Sequence, residues 1–270
     1  MRSLQDVEEF FGYITHLRSH GEKVCTNLYA MPSEVQSWSV HGEVKYLESN
    51  GGVLLIRTDR DLTRLYHAVR DEEGLARALA ALDGQVHETL ITELVGRGHE
   101  TEAAVDVYHN YEFRDYTTLL RMTKAIEGAA PPEIATSELY AQAQDVIGIV
   151  KFLERVLDPL RDHMPLLAEI ETATMSQRIL VEKERQEIRG ILFYENAAAT
   201  SVRYWYVDPE RHSDGIGGRL MREYLRLCQG QKRILLWVVS DNHHAIQKYR
   251  HYGFQFDGLS DRIMVRSGRA

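Results

Sequence analysis

Residues 204–225 read YWYVDPERHSDGIGGRLMREYL, and the chemistry this stretch offers is anion binding. An apolar run ends at Val207 and Pro209 stops it. A polar loop holding Gly215, Gly217 and Gly218 then opens straight into a helical pattern. Glycine lets the backbone come close to a phosphate, and the free N–H groups of a helix's first turn point at it. The helix dipole adds a field that favours negative charge. Ile216, Leu220, Met221 and Tyr224 give this helix its core face. The spacing is GxGG and no Gly-Lys-Ser/Thr follows, which argues against a dinucleotide or nucleoside triphosphate site.

A second stretch, LWVVSDNHHAIQKYRHYGF at 236–254, has its own logic. The short apolar run 234–239 predicts a buried strand. Asn242 stands where a helix N-cap is needed, and Ala245, Ile246 and Tyr249 share one helical face. Gly253 suits the position after a helix that requires positive φ.

Together the two stretches resemble the GCN5-related N-acetyltransferase (GNAT) family. That family's pyrophosphate loop has the form Gln/Arg-x-x-Gly-x-Gly/Ala after a Val-x-Pro strand end. Here Val207-Asp-Pro209 is followed by His212-Ser-Asp-Gly215-Ile-Gly217. The family's second signature, Asn-x-x-Ala-x-x-x-Tyr-x-x-x-Gly-Phe, is met at Asn242, Ala245, Tyr249, Gly253 and Phe254. The motifs cover about 204–254, and the order of elements extends the resemblance to about 134–266. Two positions depart from it: His212 replaces Gln or Arg, and Asp214 stands where a basic residue is common. Asp214 is expected to face solvent, with Arg211 and Arg219 restoring positive charge.

The resemblance implies direct transfer of an acetyl group from acetyl-CoA to a primary amine, the acceptor being a small molecule or a peptide. Backbone amides near Tyr206 and Val207 would hold the pantetheine arm and polarise the thioester carbonyl. Loop groups from His212, Ser213, Asp214, Gly215, Ile216, Gly217, Gly218 and Arg219, together with Asn242 and Tyr249, would complete the cofactor site. By the same pattern Tyr249 is the general acid toward the CoA sulfur. The base stays open among Tyr204, Tyr206, Glu195 and Asp208, or a water chain ending on a carboxylate. Alternation along a strand puts Tyr204 and Tyr206 on one face and Trp205 on the other. Two other readings remain: an N-acyl synthase using a longer acyl-CoA, and a non-catalytic acyl-CoA-binding regulatory protein.

The elements that must position these groups follow from periodicity. Helices are predicted at 4–20, 73–82, 100–108, 140–157, up to about 172, 216–228 and 242–252. Strands are predicted at 53–57, 62–69, 87–95, 178–183, 188–194, 201–207 and 234–239, with a closing pair of short strands over 254–265. The run EGAAPP at 127–132 is the linker candidate, because adjacent prolines fit neither a helix interior nor a central strand. The expected class is α/β (α+β): two tandem GNAT-like domains, 1–126 and 133–270, each a mixed, mostly antiparallel sheet flanked by helices. A weak internal repeat supports duplication: TEAAVDVYHNYEF at 101–113 aligns with NHHAIQKYRHYGF at 242–254, pairing Ala104, Tyr108, Tyr111 and Phe113 with Ala245, Tyr249, Tyr252 and Phe254. The first half lacks a phosphate loop. Asp71, Glu72 and Glu73 lie where phosphate would sit and would repel it, so that half reads as a non-binding copy.

Composition sets outer bounds. The 270 residues are 44% hydrophobic and 27% charged with a formal charge of -8, the range of a globular protein. No basic run or basic-aromatic stripe suggests nucleic acid. Two distant cysteines, Cys25 and Cys228, and acids within the first apolar stretch point to a reduced cytoplasmic setting without signal peptide or membrane span. His212, His243, His244 and His251 lack metal-ligand spacing, so no metal is expected. Self-association as a homodimer is compatible with this composition.

Overall fold

A computed structural model describes residues 1–19, 24–59, 62–126, 137–196 and 200–268. They form two compact units, Met1–Leu119 with Gly258–Ala270, and Leu120–Asp257.

The first unit contains β1 (Arg2–Ser3), α1 (Val7–Ser19), β2 (Cys25–Thr26), α2 (Pro32–His41), β3 (Glu43–Ser49), β4 (Gly52–Asp59), β5 (Leu62–Val69), α3 (Glu72–Leu82), β6 (Leu90–Arg97) and α4 (Glu102–Asn110). Its sheet runs β1-β3-β4-β5-β6 and is antiparallel except where β5 meets β6. Strand alternation decides which core each residue joins. On β4, Leu54 and Ile56 pack with Leu75, Leu79 and Tyr108 of α3 and α4. Val53 and Leu55 face the other way, onto Phe10, Ile14 and Val35 of α1 and α2. Cover on both faces explains why this strand reads as an unbroken apolar run.

The second unit takes the later part of β7 (Arg114–Ala125), then α5 (Val146–Val156), α6 (Leu167–Met175), β8 (Ile179–Glu184), β9 (Glu187–Asn196), β10 (Thr200–Val207), α7 (Ile216–Leu227), β11 (Arg233–Val239), α8 (His243–His251) and the start of β12 (Gln255–Arg266). Its strand order is β7-β11-β10-β9-β8. β8, β9 and β10 are antiparallel, and β10 and β11 are parallel. α5 and α6 cover one face through Ile149, Phe152, Leu153 and Ile170. α7 and α8 cover the other through Leu220, Met221, Tyr224, Ile246 and Tyr249.

Several expectations change. The helix expected from 140 begins at Val146, after a 3-10 turn at Ala143–Asp145, because Tyr140 is held by a bridge to Leu180. The closing pair of strands is one strand, β12, which passes through Gly258 at φ 83° without reversing. Its residues from Leu259 to Arg266 pair antiparallel with Arg97 to Leu90, so they belong with the first unit, where chain order alone had assigned them to the second. Helix α2 and strands β1, β2, β3 and β7 had no sequence signal of their own. The linker candidate at 127–132 lies outside the described residues.

The repeat has matching backbone geometry. Phe113 N donates to the Tyr108 carbonyl at 3.2 Å, and Phe254 N to the Tyr249 carbonyl at 3.1 Å. Glu112 and Gly253 take positive φ, 68° and 86°, at the same aligned position. A non-glycine residue in this conformation costs energy, and Glu112 adopts it to keep the same turn into the following strand.

Candidate active site

Among the described residues, β10 and β11 pair in parallel at Thr200↔Ile234, Ser201↔Leu235 and Val202↔Leu236. Beyond Val202, β10 stays paired with β9, from Tyr204↔Phe193 to Val207↔Gly190, while its other edge parts from β11. A bulge between Val202 and Tyr204 marks the point of divergence. A bulge adds one residue and re-aims the side chains after it. Val202 accordingly packs with the α7–α8 core, whereas Tyr204 joins the α5–α6 core. Tyr206 follows Tyr204, and Trp205 and Val207 pack on the opposite side. A strand that has parted from its neighbour can take up an extended chain through main-chain hydrogen bonds.

The outer end of this opening carries the glycine loop. Pro209–Asp214 form a 3-10 turn capped by Asp208, and Gly215 at φ 71° and ψ 9° is the N-cap of α7. That left-handed conformation is the reason for glycine there. The amides of Ile216, Gly217 and Gly218 are in the helix's first turn, where no intrahelical acceptor exists. A Cβ at Gly217 would lie 3.2 Å from Val207 and 3.3 Å from Trp205, so glycine also lets α7 sit close against β10. Asp214 is exposed, and its carbonyl accepts from Arg219 Nη1 at 2.8 Å. Arg219 is also held by Glu182 of β8, and Arg211 donates to Glu184 at 2.7 Å. The side chains of His212 and Ser213 lie outside the described residues.

Tyr249 stands on α8, beside Trp205 at a ring separation of 5.4 Å and Phe254 at 6.0 Å. Asn242 starts that helix by accepting from the Ala245 amide at 3.0 Å. Burial, reinforced by nearby Tyr206, pushes the Tyr249 phenol well above its ordinary value, and no hydrogen bond from a described residue offsets it. The hydroxyl therefore keeps its proton at neutral pH.

The base candidates separate by their partners. Burial pushes Tyr204 up to about 12, and its hydroxyl donates to the His163 carbonyl while accepting from Arg203 Nε at 3.0 Å. Tyr206 is likewise pushed up to about 12 by burial, with Asp162 adding to it, and accepts from Arg161 at 3.4 Å. Glu195 pairs with Arg203 Nη1 at 2.9 Å and keeps 41% of its side chain exposed. Asp208 is buried; burial alone would raise its carboxyl, but the Glu210 amide, Arg189 and Arg155 outweigh this and hold it below the usual carboxylate range. Arg203, Arg161, Arg155 and Arg189 had no motif signal; the contacts that tie them to the base candidates and to His163, such as Arg161 to Tyr206 and Arg155 and Arg189 to Asp208, join distant parts of the chain. His243, His244 and His251 are exposed, and no group of three or more potential metal ligands occurs among the described residues. No described helix is long and apolar enough to cross a membrane.

Residues 153–254 match the acetyltransferase (GNAT) family. The matched segment contains the glycine loop and α8, the two places where the motifs lie. A tandem GNAT protein from the clavulanic acid biosynthesis pathway shares the fold at TM-score 0.62 and 12% identity, over 98% of this chain and 97% of that one. A GCN5-related N-acetyltransferase from Sphaerobacter thermophilus does so at TM-score 0.58 and 15% identity, over 90% and 87%. At these identities the likeness is one of fold, and it extends the GNAT-like architecture to the first unit. L-amino acid N-acetyltransferase AaaT of Escherichia coli (strain K12) is 35% identical over 65 residues, 23% of this chain and 40% of that protein's length. The match therefore spans less than half of that relative.

Proposed function

We propose that this chain is an acetyl-CoA-dependent N-acetyltransferase whose GNAT unit transfers the acetyl group directly to a primary amine. The observation that carries the reading is the parting of β10 from β11 after Val202, directly before a helix N-terminus formed around Gly215. Tyr206 and Val207 offer their strand edge, parted from β11, to the pantetheine arm. The loop from His212 to Gly218 offers amides to the pyrophosphate, with Arg219 behind them. Asn242 fixes the start of α8 and hence the place of Tyr249.

The reaction balances with few groups. The neutral amine nitrogen attacks the thioester carbonyl, the N–C bond forms, and the C–S bond breaks. Tyr249 gives its proton to the departing thiolate and recovers one from solvent. The amine's own proton leaves through water toward Glu195, the exposed carboxylate among the base candidates. Tyr204, protonated at neutral pH, orients that route through Arg203. Placed donors and short proton paths of this kind contribute factors of about 10² to 10⁴ in rate. The setting that fits is the cytoplasm.

The test is calorimetry of the whole chain with acetyl-CoA, followed by CoA-thiol release across a panel of amines beginning with L-amino acids. Micromolar binding and amine-dependent thiol release support the reading. Absence of acetyl-CoA binding overturns it.

A further inference from the structure

Two arginines flank the glycine loop, and both are already engaged by acids from the neighbouring hairpin. Arg219 Nε and Nη2 meet Glu182 Oε1 and Oε2 at 2.6 and 2.5 Å, a two-pronged pair. Arg211 Nη2 meets Glu184 Oε2 at 2.7 Å, and its Nη1 lies 3.7 Å from Asp214. Glu182 is 14% exposed against 48% for Arg219, so the carboxylate is the more fixed partner. Glu184 is shared with Arg189 Nε at 3.4 Å, and the Arg222 guanidinium lies beside Gly218. Arg219 and Arg211 each already hold a carboxylate partner that a phosphate would have to share or displace.

We infer that Glu182 and Glu184 are affinity-setting residues: built-in counter-anions that compete with the cofactor's phosphates for Arg219 and Arg211 and keep acyl-CoA binding weak. This rests on the acetyl-CoA reading above. Arg219 is in the fourth position of α7, and helical side chains lean toward the N-terminus, so its guanidinium lies over the loop it would share with a phosphate. A two-pronged carboxylate is the strongest rival a phosphate can meet at arginine. Cofactor binding must loosen that pair or tolerate its negative charge. Either way the carboxylates oppose binding, and release of CoA after transfer becomes easier for the same reason.

The experiment is calorimetry with acetyl-CoA on the whole chain and on Glu182→Gln, Glu184→Gln and Glu182→Asp. Glutamine keeps an acceptor for Arg219, so the loop brace survives while the charge goes. Aspartate keeps the charge. Glu182→Gln is expected to lower Kd by about three- to tenfold at low salt, a partly exposed pair being worth up to roughly one such step. Glu184→Gln is expected to give a smaller gain and Glu182→Asp none. The gain of Glu182→Gln should shrink as salt rises. Unchanged or weaker binding by Glu182→Gln, with wild type binding normally, overturns the inference. An equal gain by Glu182→Asp also overturns it, since charge would then not be the cause. No binding by wild type instead overturns the acetyl-CoA reading itself.

Discussion

Two pairs of parallel strands in this chain part in the same way and are treated oppositely. In the first unit, β5 meets β6 at Thr63↔Leu90 and Arg64↔Ile91, and the parallel pairing ends there. The chain then supplies its own occupant. β2 pairs with β5 at Cys25↔Val69 and Thr26↔Ala68, and the Asn27 amide donates to the His67 carbonyl at 3.2 Å. The Asn27 side chain crosses to the other strand, donating to the Glu93 carbonyl at 2.9 Å and Thr92 Oγ1 at 3.0 Å, and accepting from His67 N at 2.6 Å. At the outer end, Asp71 accepts from the Gly74 amide at 2.7 Å, so a carboxylate caps α3 where the GNAT unit has Gly215 before α7. Tyr108, the repeat partner of Tyr249, lies 2.9 Å from His67 Nδ1. In the GNAT unit, among the described residues, β10 has no pairing with β11 beyond Val202, and no hydrogen bond offsets the burial of the Tyr249 hydroxyl. In the first unit the inserted segment occupies the parted strand edge and leaves a cavity lined by Cys25, Asn27, His67 and Asp71 beside it, whereas no inserted strand pairs with β10 beyond Val202 among the described residues.

The sharpest way to break this comparison is at the two tyrosines. Tyr249→Phe is expected to lower kcat for amine-dependent thiol release by about 100-fold while moving the acetyl-CoA Kd less than about threefold. Tyr108→Phe is expected to leave both unchanged and to cost stability only. Steady-state kinetics with calorimetry reads both. Calorimetry should also give one acetyl-CoA per chain, and two would mean that the first unit's opening is not closed.

Asn27 tests the plug. Asn27→Ala removes a buried amide that satisfies groups on both parted strands, at a cost of about 2 kcal/mol. Faster amide hydrogen exchange in β5 and β6, with exchange in β10 and β11 unchanged, is the expected result. Protection unaltered in β5 and β6 would mean that the segment around Asn27 does not hold those strands.

What was legible in the sequence was local. Gly215, Asn242, Tyr249 and Gly253 act through neighbours a few residues away, so their spacing carried both the fold of the loop and the start of α8. The repeat was legible for the same reason. The plug was not: β2 is two residues long, and its partners lie some forty positions on. Arg203 reads as one arginine among many until a bulge on β10 and the carbonyl of His163 give it a place. The destination of the last strand was hidden too, because Leu259 to Arg266 could pair with any apolar edge and only the tertiary fold selects β6.

His67 gives a smaller effect with a defined sign. Burial lowers it to about 3 from an ordinary 6.5, so it is neutral in the folded chain while the unfolded chain takes up a proton below pH 6.5. Its contribution is complete above 6.5 and is lost as pH falls toward 3, by at most about 1.4 kcal/mol per pH unit. Asp261, raised to about 8 by burial and then by Glu93, has the opposite sign, its contribution being lost as pH rises from 3.8. The measurement is therefore a difference: between pH 6.5 and 4.5 the first unit of wild type should lose more stability than that of His67→Gln, by hydrogen exchange in α3 and α4. Parallel slopes would mean that His67 is not held neutral by burial.

The smallest effect separates the two ways in which the first unit is closed. Asp71→Ala removes the cap of α3 and is expected to cost about 1 kcal/mol. It also takes one negative charge from a helix N-terminus that keeps Glu72 and Glu73, a step toward the Gly215 loop. If charge alone kept acetyl-CoA out of the first unit, the variant would gain a second, weak binding event in calorimetry. With residues 25–27 still paired along β5, that strand edge stays occupied, and the stoichiometry should stay at one. A second event would show that the carboxylate, not the inserted strand, is what distinguishes the two units.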